Sequence, residues 1–261
     1  MAVIEVKNLK KDYVITEKQA GISNSFKNLF SPVRKTINAV KGITFNIEKG
    51  EMVGFIGSNG AGKSTTIKML TGILVPSSGT VSVLGMDPHR DRKKYVSKIG
   101  AVFGQKTQLW WDLPLADTFE LLKKIYNIPQ KEYAENISAF NEILGLEAFQ
   151  SQPVRQLSLG QRMRADIAAA LLHNPEIVFF DEPTIGLDVL AKSKIRDFIS
   201  FINRERNVTM LFTTHDMADI EKTCHRVIII DNGLSLYDGN LINIKKKIVL
   251  ICLGIVHFII I

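Results

Sequence analysis

Gly57-Ser58-Asn59-Gly60-Ala61-Gly62-Lys63-Ser64-Thr65 is the stretch that decides the fold. An apolar run, Met52-Val53-Gly54-Phe55-Ile56, leads into it, and a helix-patterned one, Thr66-Ile67-Lys68-Met69-Leu70, leads out. Strand, glycine-rich turn and helix in that order turn G-x-x-x-x-G-K-[ST] from a string match into a phosphate-cradling P-loop. Glycines let such a loop curl, so that successive backbone N–H groups point inward at phosphate oxygens. The first turn of the helix adds its unpaired N–H groups and the positive end of its dipole. Lys63 is placed to neutralise β- and γ-phosphate charge, and the Ser64 hydroxyl to ligate Mg²⁺. All nine residues are therefore candidates for holding a nucleotide.

The chain has 261 residues, 46% of them hydrophobic, enough for one large or two unequal domains with a proper core. A net charge of +7 is the kind that draws nucleic acid or an anionic membrane surface. Here much of the excess is local. Lys245-Lys246-Lys247 supplies three charges, and Lys18, Lys27, Arg34, Lys35 and Lys41 face only Glu17. That is the pattern of a solvated face or loop, and no nucleic-acid partner is expected. Cys224 and Cys252 sit in unrelated surroundings, so neither a disulfide framework nor a metal site is indicated, which fits a reducing cytoplasm. Met1-Ala2-Val3-Ile4-Glu5-Val6-Lys7 is already strand-like and carries no secretory signal.

Outward from the P-loop, short β-rich runs alternate with helical patterns, predicting an α/β core. Strands are read at 4–9, 43–47, 80–84, 98–103, 177–180, 208–213 and 226–231, with ordinary β-structure again at 233–241. Helices are read at 118–126, 133–144, 161–173 and 190–204. The helical block around 106–160 interrupts the alternation and reads as a subdomain. Residues 16–38 read as an inserted polar, basic loop with a short helix around Phe26, Leu29 and Phe30. One cassette-like domain over 1–241 is then followed by an anomalous basic and apolar tail, 242–261. The fourteen residues 248–261 would span about 21 Å as a helix, short of the ~30 Å hydrocarbon core. Three readings stand for the tail: an abnormal end of the reading frame, a buried final element, or a membrane-inserting segment.

Downstream, Ile177-Val178-Phe179-Phe180-Asp181-Glu182 is an apolar run ending in two carboxylates. A buried strand carries Asp181 to the edge of the sheet, where it can hold Mg²⁺ or its waters. Glu182, one residue on, is placed to polarise a water against the γ-phosphate. A further element, Leu157-Ser158-Leu159-Gly160-Gln161, heads a helical run. Together these motifs resemble the ATP-binding cassette (ABC) ATPases, over residues 4–241. The family's signature loop reads L-S-G-G-Q, so Leu159 stands where the first glycine is usual. Ser158 and Gly160 keep their roles if that position needs neither positive φ nor close backbone approach.

The resemblance implies further roles. Gln105 matches the Q-loop glutamine that contacts Mg²⁺ and the attacking water. Ile185-Gly186-Leu187-Asp188 matches the D-loop, with Asp188 at its end, and His215 matches the switch histidine at the γ-phosphate. Tyr13 resembles the aromatic that stacks on adenine. The implied fold is a P-loop NTPase core, a mixed or parallel sheet flanked by helices, with N-terminal antiparallel strands and a helical subdomain. The implied activity is ATP hydrolysis with Mg²⁺, in a dimer where Ser158, Gly160 and Gln161 of one chain close over the P-loop of another. The motif style is similar to bacterial export-type, ABC-2-like subunits. Partners would be a second ATP-binding subunit, a homodimer, and a separate transmembrane permease. The location would be the cytoplasmic face of the plasma membrane. Trp110 and Trp111, beside Gln105, read either as a docking surface for that permease or as core packing. The alternative function is a non-transport ABC ATPase acting on DNA or ribosomes.

Overall fold

The computed structural model describes residues 1–17, 33–104, 106–214 and 217–244. Two long strands open it, β1 (Ala2–Glu17) and β2 (Val33–Glu48), before β3 (Met52–Gly57) runs into the P-loop and α1 (Lys63–Leu70) leaves it. There follow β4 (Ser78–Val83), α2 (Arg92–Tyr95), β5 (Ile99–Phe103), α3 (Leu115–Ile125), α4 (Gln130–Leu144) and α5 (Leu159–Leu171). The last third holds β6 (Ile177–Asp181), α6 (Val189–Arg206), β7 (Thr209–Thr214), α7 (Met217–Thr223), β8 (Arg226–Asp231) and β9 (Leu234–Asn240).

The strands form two sheets. One is antiparallel, in the order β2-β1-β4; the other is six-stranded, in the order β5-β6-β7-β3-β8-β9, parallel except where β9 pairs with β8. The inner strands of the second sheet, β6, β7 and β3, are buried on both faces, which is why β6 is wholly apolar until Asp181 rather than alternating. Side chains still alternate between two cores. Val178, Phe180, Met210, Phe212 and Val227 face the helices α3 to α7. Ile177, Phe179, Leu211, Ile228 and Phe55 face α1 and the antiparallel sheet, where Ile4, Val6, Ile43 and Ile47 meet Ile67 and Leu70. Helix α1 is thus clamped between two sheets. Phe179 and Phe180 are fully buried, and truncating either to alanine would cost about 3–5 kcal/mol.

The structure corrects the sequence reading near the N-terminus. Strands β1 and β2 stay paired as far as Glu17 opposite Val33, well past Lys10 opposite Ser78, where β4 leaves the sheet. Residues 16–17 and 33–38 are therefore strand rather than loop. Among the described residues this two-stranded ribbon covers no core: Val14 and Ile37 are exposed, so no inward apolar face marks it in the sequence. Residues 18–32, with the expected short helix, and the tail at 245–261 lie outside the described residues. Helices α2 and α7 were not expected; at four and seven residues they are too short to show a helical period.

Candidate functional site

Strand β3 delivers the P-loop at its C-terminal end. The turn closes through Ala61 N–H donating to the Ser58 carbonyl at 3.1 Å, and α1 starts with Thr66 N–H on the Gly62 carbonyl at 2.9 Å. Gly62 is the helix N-cap at φ +104°, and a Cβ there would lie 2.6 Å from the Ala39 carbonyl oxygen. Only glycine meets both conditions. Lys63 is 5% exposed; its Nζ donates to the carbonyls of Gly57 (2.8 Å) and Ser58 (3.0 Å), so the ammonium is held inside its own loop. Ser58 Oγ donates to Asp231 Oδ1 at 2.9 Å, pinning the loop to the end of β8.

Two strands away, Asp181 ends β6. Its Oδ1 accepts from Ser64 Oγ at 3.0 Å and from Thr213 Oγ1 at 2.8 Å, which joins the P-loop, β6 and β7 at one carboxylate oxygen. Glu182 follows at φ +54°, a left-handed conformation uncommon for a side chain of this size. Its N–H donates to Thr213, to Oγ1 at 3.0 Å and to the carbonyl at 3.1 Å. Gly104 lies against this turn: its N–H donates to the Asp181 carbonyl at 2.8 Å, and a Cβ would stand 2.1 Å from the Glu182 carbonyl oxygen. A cleft is left here, lined by Ser64, Lys68, Phe103, Gly104, Lys106, Asp181 and Glu182.

The signature residues sit elsewhere. Ser158 is the N-cap of α5. Its Oγ accepts from Gln161 N–H at 3.2 Å while Gln161 Oε1 accepts from Ser158 N–H at 2.8 Å, a complete capping box. Leu159 is not among the positive-φ residues and is 37% exposed, so the missing family glycine brings no backbone strain. Asp188 caps α6, its Oδ1 accepting from Ala191 N–H at 2.8 Å. Between the two helix starts runs a groove lined by Ser158, Leu159, Gly160, Gln161, Asp188 and Ala191, among others. Arg164 borders it, donating Nε to the Gly160 carbonyl at 3.4 Å, and burial pulls its guanidinium below the usual range against the opposing pull of Asp188.

Tyr13 is half-buried on β1 opposite Ile37, two residues along β2 from the Ala39 carbonyl that abuts Gly62. Lys11 Nζ stands 5.5 Å from its ring centre. Gln105 and His215 lie outside the described residues. Trp110 and Trp111 are 39% and 48% exposed, with the Arg162 guanidinium 5.5 Å from the Trp111 ring, so they are not core packing. Three features escaped the sequence reading: the double role of Thr213, the left-handed turn at Glu182, and Gly104.

The family model described as ABC transporter matches residues 40–185, more than half of the chain. The chain belongs to the ABC transporter family. It is 34% identical over 212 residues to the ABC transporter ATP-binding protein NatA of Bacillus subtilis, covering 81% of this chain and 86% of that protein. It is 32% identical over 251 residues to the methionine import ATP-binding protein MetN 2 of Enterococcus faecalis, covering 95% and 68%. Among solved structures, an ATP-binding subunit of an ABC transporter superposes with TM-score 0.78 at 27% identity, covering 95% of this chain and 94% of that one. A dimeric ATP-binding cassette in a post-hydrolysis state, bound to ADP and Pi, superposes with TM-score 0.73 at 28% identity, covering 91% and 98%.

This ABC transporter subunit binds and hydrolyses ATP with Mg²⁺. The donors present suit that ion: a hydroxyl and a carboxylate, both hard oxygen ligands, leaving room for waters and phosphate oxygens. Among the described residues no cluster of three or more His, Cys, Asp or Glu could hold a metal. No helix of the described residues is long and apolar enough to cross a membrane.

Proposed function

We propose that this ABC transporter subunit works as one half of an ATP-closed dimer, and that closure and reopening drive export through a separate membrane-spanning partner at the cytoplasmic face of the membrane. The observation that carries the reading is the separation of two half-sites: the P-loop cleft and the groove at Ser158–Asp188 share no lining residue. In the proposal Gly57 to Thr65 hold the triphosphate, with Lys63 turning from its own carbonyls to the phosphates. Ser64, Asp181 and Gln105 face the Mg²⁺ side. Glu182 orients and deprotonates the water that attacks the γ-phosphorus, ADP leaving in line, while His215 contacts the departing phosphoryl group. Tyr13 stacks on the adenine. Ser158, Gly160, Gln161 and Asp188 act on the partner's nucleotide, where an N-terminal helix turn offers a second anion cradle.

Exposed Trp110 and Trp111 support a docking surface on the helical block around 106–160 for the permease. Glu182→Gln tests the site: hydrolysis should fall at least 100-fold while Mg-ATP shifts the protein to twice its monomer mass in light scattering. A variant that hydrolyses ATP at the parental rate sinks the reading. Direction rests on motif style, and the import protein among the relatives makes its test separate. With partner and subunit in proteoliposomes and ATP outside only, export requires solute to accumulate in the lumen; loss from preloaded vesicles means import. The alternative of a DNA- or ribosome-acting ATPase draws no support from the relatives.

A further inference from the structure

Helix α5 is a packed, small-residue helix: Met163, Ala165, Ile167, Ala168, Ala169, Ala170 and Leu171 are all buried. A single carboxylate, Asp166, lies buried among them at 4% exposure. Its bonds run to one short segment. Asp166 Oδ1 accepts from Thr107 Oγ1 at 2.9 Å and from Gln108 N–H at 3.0 Å. Gln108 Nε2 donates to the Asp166 backbone carbonyl at 3.0 Å, and Thr107 Oγ1 accepts in turn from Leu109 N–H at 3.1 Å. Thr107 and Gln108 stand two and three residues after Gln105, on the stretch that leaves β5 for the helical block. Asp166 stands eight residues, about 12 Å of helix, beyond the Ser158 cap.

An ionised carboxylate in such a place is costly. Burial pushes its pKa up to about 6, against the opposing pull of the neutral donors Gln108 and Thr107 and of the Arg162 guanidinium a turn back. An alanine would fit the helix without that cost. What the carboxylate supplies is one oxygen that accepts two hydrogen bonds from a loop with no regular structure of its own.

We propose that Asp166 is a positioning residue that fastens the segment directly after Gln105 to the helix bearing Ser158, Gly160 and Gln161, so that the site facing a chain's own ATP and the cradle facing its partner's move as one body. The clasp rests on the site reading above and extends it: the two half-sites share no lining, so a mechanical tie is what lets occupancy of one set the position of the other. Nucleotide capture by the P-loop should not depend on it, because the clasp touches neither β3 nor α1.

The test measures turnover and the Kd of a fluorescent ATP analogue for the parent, Asp166→Ala, Asp166→Asn and Thr107→Val. Asp166→Ala should lower kcat at least tenfold with Kd within threefold. Asp166→Asn, which keeps the Oδ1 acceptor, should retain a third or more of the parental kcat. Thr107→Val should lose severalfold, and combining it with Asp166→Ala should add little further loss, as for partners in one contact. Parental kcat in Asp166→Ala, equal losses in the alanine and asparagine variants, or parallel losses of kcat and binding would each overturn the proposal. If Asp166→Ala does not fold, Thr107→Val carries the same comparison. Glu182→Gln is run alongside: parental turnover there defeats the site reading itself, whereas an inactive Glu182→Gln beside a fully active Asp166→Ala defeats the clasp alone.

Discussion

The P-loop cleft and the signature groove are both helix N-termini with glycines and hydroxyls, yet they are built to opposite ends. At the P-loop the cation is buried, the hydroxyl of Ser64 is already turned to Asp181, and helix α1 and the strands β6 and β7 meet at a single carboxylate oxygen. At the groove the donors lie at the surface and satisfy one another, Ser158 with Gln161 and Asp188 with Ala191. One region gathers its polar groups from three elements of its own chain; the other holds its polar groups in caps that stabilise two helices. Capping and phosphate binding draw on the same helix N-terminal N–H groups, so in the proposed dimer an anion at the groove would have to replace these caps.

Several variants break or sharpen that contrast. Lys63→Ala should have the largest effect, removing the one cation inside the P-loop: nucleotide affinity should drop at least 100-fold by calorimetry and turnover should vanish. An affinity within tenfold of the parent would mean that the backbone amides alone hold the phosphates. Ser158→Ala should reduce turnover by about 10- to 100-fold while leaving analogue binding to the P-loop within threefold. Loss of its cap should also lower stability by about 1 kcal/mol in urea titrations. If binding to the isolated chain fell in step with turnover, the two regions would not be separate. Leu159→Gly, restoring the family residue at a helix N1 position, should change turnover less than threefold and cost under about 1 kcal/mol.

Asp166→Asn supplies a pH-dependent measure of the tie between the regions. The carboxyl pKa rises on folding from 3.8 to about 6, so the native state binds the proton more tightly. The asparagine variant should match the parent in stability below pH 3.8. Its advantage should grow between pH 4 and 6 and level off above, at up to about 3 kcal/mol for a shift of some two units. Denaturant midpoints at pH 4.5 and 8 decide it; equal offsets at both would show that the carboxylate is not desolvated.

What the sequence made legible follows from how local each signal is. The P-loop, the apolar run into Asp181 and the Ser158 start of α5 each fit within a dozen residues, so chemistry and geometry could be read together. Thr213 could not be assigned that way, because its hydroxyl reaches Asp181 across 32 positions. The clasp at Asp166 spans 58 or 59 positions and left no pattern beyond an acid in an alanine-rich helix. The ribbon of β1 and β2 is hard to read for the opposite reason: Val14, Ile15 and Ile37 are exposed, and periodicity reports packing. The left-handed turn at Glu182 carries no sequence mark, since glycine or asparagine would be the usual occupant.

The place of β7 in the sheet has a bearing on synthesis. It lies between β3 and β6, pairing Met52 with Met210 and Ile177 with Thr209. The ribosome releases the P-loop early, yet the strand that carries Asp181 reaches it only when β7 has emerged and slotted between them. A nascent chain shorter than about residue 214 holds the loop and the carboxylate on strands with no common neighbour. A chain cut before β7 should therefore keep the phosphate cradle that β3 carries but not hold against it the carboxylate that ends β6, so the site is completed only once this strand is in place.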